Sequence, residues 1–139
     1  MGNTADVRYF LRKHEILSRK KEIQELFENG SSFFLYPFKV FYLPVKENTP
    51  VKVLFSVSKR NHKKAVTRNL IKRRMRECYR LQKHQLQYPN QNLSYYLAFV
   101  YISKDIPEFN FLKNKLNKAL VRLNNISENN STDYAQKEN

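Results

Sequence analysis

The chain has 139 residues, and its 26 Lys and Arg outnumber its 12 Asp and Glu to give a formal net charge of +14. With 41% hydrophobic and 14% aromatic residues, it has enough apolar surface to fold as one domain, which excludes a disordered basic tail. Its single cysteine, Cys78, excludes an internal disulfide framework and a cysteine-based metal site, and no apolar run approaches the roughly 18 residues of a membrane span, so we expect a soluble, cytoplasmic protein with Cys78 in its core.

The first half of the chain predicts one helix and two strands. Residues 1–15 lack periodicity and are expected to form a flexible basic arm. A helix is predicted over 18–29, because apolar residues recur there at helical spacing and Gly30 can end the helix in a left-handed conformation. Aromatic and β-branched residues over 33–42 predict a strand, and strict alternation over 51–57 predicts a second one. We expect these two strands to pair as an antiparallel hairpin.

The second half predicts a basic helix between about 62 and 85, a buried strand and a last helix. The inner stripe of the basic helix comprises Val66, Leu70, Ile71, Met75, Cys78 and Tyr79. A nearly continuous apolar run over 95–102 is typical of a central strand. The last helix follows Pro107 and ends near Leu123, after which the Asn- and Ser-rich residues 124–139 are expected to be disordered. The αββαβα order predicts one domain over 16–123, a two-layer α/β (α+β) sandwich with a crossover through the basic helix.

The basic helix and the strand before it concentrate positive charge. Between Glu47 and Glu77 there is no Asp or Glu, whereas ten Lys and Arg occur in that interval. Cations at intervals of four lie along one face of the helix. Such a face repels itself unless a polyanion neutralises it, so the predicted ligand is nucleic acid. Asn69, beside Arg68, could bond a 2′-hydroxyl, a phosphate or a base edge, or could cap the helix locally.

A group of aromatic residues precedes the basic helix. Its members are Phe27 on the first helix and Phe33, Phe34, Phe38, Phe41 and Tyr42 on the first predicted strand. Alternation along a strand turns about half of them into the core. Those that stay exposed could stack on unpaired bases without reading their sequence.

Catalytic groups are not evident in the sequence. His14, His62 and His84 are far apart, and the last two flank the basic helix, where a solvated or phosphate-bonding role suits them better than general-base catalysis. No carboxylate cluster suits two-metal catalysis, and the two glycines cannot form a phosphate-binding loop. We therefore expect no catalytic residue, no protein-bound metal and no organic cofactor.

Two neighbouring segments are similar to a known family. Residues 64–77, KAVTRNLIKRRMRE, resemble the signature helix of the bacterial ribonuclease P protein subunit, and residues 55–60, FSVSKR, resemble the strand that leads into it. The order of elements over 16–123 is similar as well. Leu70 replaces the second arginine of the signature, and Arg74 stands where an apolar residue is usual, which makes Arg74 a candidate phosphate contact.

The resemblance implies a protein cofactor for a catalytic RNA that removes the 5′ leader from precursor tRNA, with cleavage performed by the RNA and the Mg²⁺ that it binds. It also implies a ribosomal-protein-S5-like fold with a left-handed βαβ crossover, an exception to the right-handed rule. The residues that would bind the catalytic RNA are Lys59, Arg60, Lys64, Arg68, Asn69, Lys72, Arg73 and Arg76. A cleft formed by Ile23, Phe27 and Phe41 would take the single-stranded leader. The free protein would be a monomer, with neither DNA nor a membrane as a partner.

Three other interpretations fit part of the sequence. A ribosomal protein or RNA chaperone of similar fold would share the charge, but it would bind structured RNA without a leader cleft or a role in cleavage. A DNA-binding regulator would need a groove-reading helix and usually a dimer, and no dimerisation heptad is visible. A protein-only nuclease would need an acidic or histidine cluster, which we do not find in the sequence.

Overall fold

The computed structural model describes residues 11–46, 50–86 and 93–138, with side chains as far as residue 127. Its elements, in chain order, are helix α1 (Lys20–Asn29), strands β1 (Ser31–Leu35), β2 (Phe38–Val45) and β3 (Lys52–Val57), helix α2 (Ala65–Gln82), strand β4 (Ser94–Tyr101) and helix α3 (Phe109–Glu138). Short 3₁₀ turns precede α1 and follow α2. Within these ranges, no helix has both the length and the apolar character needed to cross a membrane.

The four strands form one mixed sheet in the order β1-β2-β4-β3. β4 lies at the centre, antiparallel to β2 and parallel to β3. Nearly all of its residues are buried, as expected for a strand that is covered on both faces and therefore reads as a continuous apolar run. The predicted central strand and the predicted crossover from β3 through α2 to β4 are confirmed.

The region predicted as one strand over 33–42 is instead two strands. β1 and β2 pair antiparallel on either side of Tyr36 and Pro37, which are joined by a cis peptide bond. Proline has no N–H to donate to a neighbouring strand, so the chain turns at this point. The predicted pairing of the first two strands is wrong, because β2 pairs with β1 and β4, whereas β3 pairs with β4 and not with β2. The order of elements is thus αβββαβα.

The helices divide between the two faces of the sheet. On one face, α2 and α3 bury a large core that includes Phe55, Phe99 and the leucines of α3. On the other face, α1 covers a smaller cluster built on Leu26, Tyr96 and Ala98. The α+β sandwich predicted from the sequence is therefore confirmed.

The ends of α1 and α3 differ from the sequence expectation. Gly30 has a φ of −76°, so it does not end α1 in the left-handed conformation. Glycine is required there for a different reason, because a Cβ at this position would lie 2.3 Å from the carbonyl oxygen of Leu26. α3 continues beyond Leu123: Ser127 is buried and its hydroxyl contacts that of Tyr95. Residues 124–127, expected in a disordered tail, are thus held in the helix by packing against the core.

The structure describes only part of the predicted basic arm, because residues 1–10 lie outside the described residues. Of the remainder, Glu15 forms an ion pair with Lys83, with 2.7 Å between Oε1 and Nζ. Ile16 then forms a parallel bridge with Val53. Leu11, the first described residue, also packs against the large core, so the chain is attached to the domain from there onward.

Candidate nucleic-acid interface

The loop over 58–64 carries the first cations of the predicted interface and is tied to the end of β4. Asn61 Nδ2 donates to the carbonyl oxygen of Ile102 at 2.8 Å, and His62 Nε2 lies 2.9 Å from that of Ser103. His62 is only 6% exposed. The expected solvated or phosphate-bonding role of His62 is therefore wrong, because its ring is buried against the backbone that it helps to hold.

Arg68 fastens the same loop to the first turn of α2. Its Nη1 donates to the carbonyl oxygens of His62 and Lys63, at 2.9 and 2.7 Å. These bonds use one nitrogen of the guanidinium, and the group has donors to spare for an anion. The sequence predicted Arg68 only as an RNA contact, whereas the geometry shows that it also positions the loop.

The predicted RNA-binding residues lie together on the loop and on one side of α2. At about 100° per residue, the five that belong to α2 fall within an arc of about 140°. Each of the eight is exposed or half-buried. We call this set the basic surface: Lys59, Arg60, Lys64, Arg68, Asn69, Lys72, Arg73 and Arg76.

No carboxylate neutralises the basic surface in the described part of the chain. Glu77, the one acidic residue of α2, forms an ion pair with Arg80 at 2.8 Å. The N-terminus of α2 has neither an acidic residue in its first turn nor a side-chain cap. Its unpaired N–H groups and the positive end of the helix dipole therefore add to the charge of the loop and suit the binding of phosphate.

Two side chains of α2 depart from the roles that the sequence predicted. Arg74 turns away from the basic surface, and its Nη1 donates to the carbonyl oxygen of Pro107 at 2.6 Å. It anchors the segment that leads into α3, so the expectation of a phosphate contact there is wrong. Val66, assigned to the inner stripe, is 81% exposed, because at about 100° per residue it lies about 140° around the helix from the buried Ile71 and on the side of Arg73.

Ile23, Phe27 and Phe41 meet on the opposite face of the sheet, and we call them the α1 cleft. Ile23 and Phe41 pack against the smaller core. The rings of Phe27 and Phe41 are 4.7 Å apart at an interplanar angle of 70°, an edge-to-face arrangement. Phe27 remains 42% exposed. Ile23, Phe27 and Phe41 therefore lie on one side of the smaller core, and Phe27 keeps an exposed surface on which a base can stack.

The open sheet face beside the α1 cleft carries Phe34, which the sequence named only among several candidate stacking rings, and Lys39, which it did not single out. Lys39 Nζ lies 5.1 Å from the ring centroid of Phe41 and also 5.1 Å from that of Phe34. Lys39 and Phe41 are two positions apart on β2, so their side chains share a face. That spacing was the available signal for Lys39, but it becomes informative only once the strand boundary at Pro37 is known.

A partly buried ion pair holds α1 against the sheet. Lys52 Nζ lies 3.0 Å from Glu22 Oε2, and the hydroxyl of Tyr96 donates to the same oxygen at 2.9 Å. Burial raises the pKa of Glu22, but the hydrogen bonds from Lys52 and Tyr96 outweigh it and hold the pKa below its ordinary value. Glu22 is therefore ionised near neutral pH and keeps α1, with its two cleft residues, in place.

The side chains of the two surfaces offer hydrogen-bond donors and aromatic rings. Across the described ranges, no three His, Cys, Asp or Glu side chains lie together in a way that could hold a metal ion. The basic surface offers guanidinium, ammonium and amide donors for phosphates and hydroxyls, and the α1 cleft offers aromatic rings for bases. Both arrangements favour binding of RNA.

Comparisons with known proteins agree on one family. A family model described as Ribonuclease P matches residues 11–124. The ribonuclease P protein component of Porphyromonas gingivalis is 35% identical over 124 residues, covering 86% of this chain and 90% of that protein. The corresponding protein of Chlorobium phaeobacteroides is 37% identical over 133 residues, covering 84% of this chain and 91% of its own.

Solved structures share the fold. The RNase P protein of Thermotoga maritima superposes with a TM-score of 0.65 at 21% identity, covering 78% of this chain and 96% of that one. The RNase P protein of Staphylococcus aureus gives a TM-score of 0.63 at 23% identity, covering 80% of this chain and 95% of that one. The mixed sheet with its three helices is therefore an arrangement found in other proteins.

Proposed function

The chain belongs to the ribonuclease P protein family, the protein subunit of a ribonucleoprotein that processes tRNA, and from this we propose that it binds a catalytic RNA and the 5′ leader of precursor tRNA together. The observation that carries the proposal is the pairing of two separate surfaces on one small domain. One is the basic surface without a neutralising carboxylate, and the other is the α1 cleft with its partly exposed ring.

The basic surface is proposed to bind the catalytic RNA. Each arginine can donate two hydrogen bonds to one phosphate, and Asn69 can bond a 2′-hydroxyl, which a cation would recognise less selectively. Arg68 has a second role, because it holds the loop that presents Lys59, Arg60 and Lys64. By neutralising several phosphates at once, this surface would supply most of the affinity and make it strongly dependent on salt.

The α1 cleft is proposed to bind the leader. A base can stack on the exposed part of Phe27 or against the edge-to-face pair that it forms with Phe41. Such contacts tolerate any base, because every base has a flat face. They also give precursor tRNA an advantage over mature tRNA, which carries no leader.

Cleavage itself is assigned to the RNA. The Mg²⁺ that cleavage needs would be bound by the RNA, as the family implies, and would supply the charge that activates the attacking water. The chain's own residues bind and orient the two RNAs. We place this activity in the cytoplasm and expect the free protein to be monomeric.

Reconstitution tests the proposal against a ribosomal protein or RNA chaperone of similar fold. A bacterial ribonuclease P RNA is assayed at limiting Mg²⁺ with precursor tRNA, with and without the purified protein. We expect the protein to accelerate cleavage at the 5′ end of the mature tRNA and to cut nothing by itself. An RNA chaperone would improve folding of the RNA but would lose its effect once the RNA had been folded beforehand, and that result would refute the proposal.

A further inference from the structure

We propose that Phe34 and Lys39 extend the leader-binding site from the α1 cleft across the open sheet face to the β1 edge. There they would take leader nucleotides that lie farther from the cleavage point than those in the cleft. This inference rests on the proposed function and deepens it, because it assigns a second segment of the leader to a defined surface of the protein.

The first support is the exposure and position of Phe34. It is 64% exposed, the most exposed aromatic ring among the described residues. Phe34 lies directly opposite Lys39 in the pairing of β1 with β2, so the two side chains project from the same face as Phe41. The ammonium of Lys39 lies 5.1 Å from both ring centroids. The rings of Phe34 and Phe41 are therefore separated by at most twice that distance, and a short stretch of single strand can reach both.

The second support is the chemistry of this row. Bases stack on aromatic rings, and the phosphates between them need a cation within reach. Lys39 supplies that cation between the two rings. An exposed contact between a lysine and a ring is weaker than stacking of a base, so the ammonium can leave the rings for a phosphate when RNA arrives.

The third support is the way in which the β1 edge is held. The guanidinium of Arg122 lies 4.4 Å from the ring centroid of Phe33, and its Nη1 donates to the carbonyl oxygen of Phe34 at 3.2 Å. Arg122 thus fixes the strand that presents Phe34 and adds positive charge at the same edge. We leave the nearby Tyr36 out of the site, because its hydroxyl already contacts that of Ser103 at 2.9 Å.

The order of strands gives the row a direction. Phe34, Lys39, Val100 and Ser56 lie in register from β1 to β3. The loop after β3 carries Lys59, so the basic surface begins at the end of the row opposite to Phe34. If the catalytic RNA holds the reacting bond beside the basic surface, the leader runs from β3 towards β1 and reaches Phe34 last.

A leader-length series tests the inference. Holoenzyme is reconstituted with a bacterial ribonuclease P RNA, and its affinity is measured for precursor tRNAs whose leaders grow by one nucleotide at a time. Phe41→Ala should weaken binding of all leaders that reach the cleft. Phe34→Ala should weaken only the longer ones, by about fivefold or more, so that their affinity falls to that of a shorter leader. Lys39→Gln should act at the same lengths as Phe34→Ala.

Phe111→Ala is the matched control. Phe111 is 38% exposed and also has a lysine over its ring, with Lys115 Nζ 5.7 Å from the centroid, but it lies on α3. This variant should bind every leader normally. Equal weakening by Phe34→Ala at all lengths, or no weakening at any length, would overturn the inference. If Phe41→Ala still weakens leader binding in that case, the assignment of the leader to the α1 cleft stands. If neither variant changes the dependence of affinity on leader length, that assignment is refuted as well.

Discussion

Two adjacent arginines of α2 should respond to the same substitution in opposite ways. Arg73 is exposed on the basic surface, whereas Arg74 lies about 100° farther around the helix and donates to the carbonyl oxygen of Pro107. We expect Arg73→Gln to weaken RNA binding without a cost in stability. Arg74→Gln should destabilise the fold and leave the electrostatics of RNA binding unchanged.

The size of each effect follows from the contacts. Losing one phosphate contact should reduce the slope of log affinity against log salt by about 0.7 to 0.9, so Arg73→Gln should flatten the plot by about that amount. The bond from Arg74 to a carbonyl oxygen is charged and short, and such bonds contribute about 1.5 to 3 kcal/mol when well shielded. Because Arg74 is only half-buried, we expect Arg74→Gln to lower the free energy of unfolding by about 1 to 2 kcal/mol.

Both quantities are measured on the same two variants. Affinity for the catalytic RNA is titrated over a range of salt concentrations, and the free energy of unfolding is obtained from urea denaturation of the free protein. The double variant should show both changes in full, because the two side chains share no partner. A flattened salt dependence for Arg74→Gln with unchanged stability would refute the assignment of Arg74 to Pro107, and an unchanged slope for Arg73→Gln would remove Arg73 from the interface.

Three further predictions concern the leader, the partly buried ion pair between Glu22 and Lys52, and the cysteine. Phe41→Ala should reduce holoenzyme affinity for precursor tRNA by about five- to hundred-fold and leave mature tRNA nearly unaffected; equal losses for both tRNAs in a binding assay would contradict this. Glu22→Gln should destabilise the protein at neutral pH by about 1 to 3 kcal/mol. The pKa of Glu22 is lowered in the fold, so its contribution is present above the ordinary carboxyl pKa and is lost as the pH falls through the lowered one; denaturation of both proteins across acidic pH should show the difference vanish there. Burial raises the pKa of the Cys78 thiol to about 11, so alkylation at mildly alkaline pH should be slow in the folded protein and fast in urea, and rapid labelling of the native protein would contradict its place in the core.

The sequence identified most of the fold because its strongest patterns are local. Alternation over 51–57, the apolar run over 95–102 and the leucines of α3 at helical spacing each report burial directly. Which strands pair is not a local property, and the error at β1 and β2 came from interpreting 33–42 as one strand, although Pro37 marks the turn between two. The continuation of α3 beyond Leu123 also depends on a distant partner, since Tyr95 meets Ser127 only in the folded protein.

The same distinction applies to the candidate interface. The charge of the basic surface could be read from the sequence, because spacing along a helix fixes which cations share a face. The bonds from Arg68 to the loop and from Arg74 to Pro107 could not, since each depends on how the chain is folded around the helix. Lys39 was missed for a similar reason, because its position between Phe34 and Phe41 requires the correct register of β1 against β2.

The most direct test of the account compares binding of precursor and mature tRNA to the catalytic RNA alone and to the reconstituted holoenzyme. The two tRNAs differ only in the leader, and the two enzymes differ only in the protein, so the ratio of the four affinities isolates the contact between protein and leader. We predict that the protein raises affinity for precursor tRNA by at least about fivefold more than for mature tRNA, the smallest effect expected from one stacked base. An equal gain for both tRNAs would contradict the account, because the protein would then be acting on the RNA subunit alone.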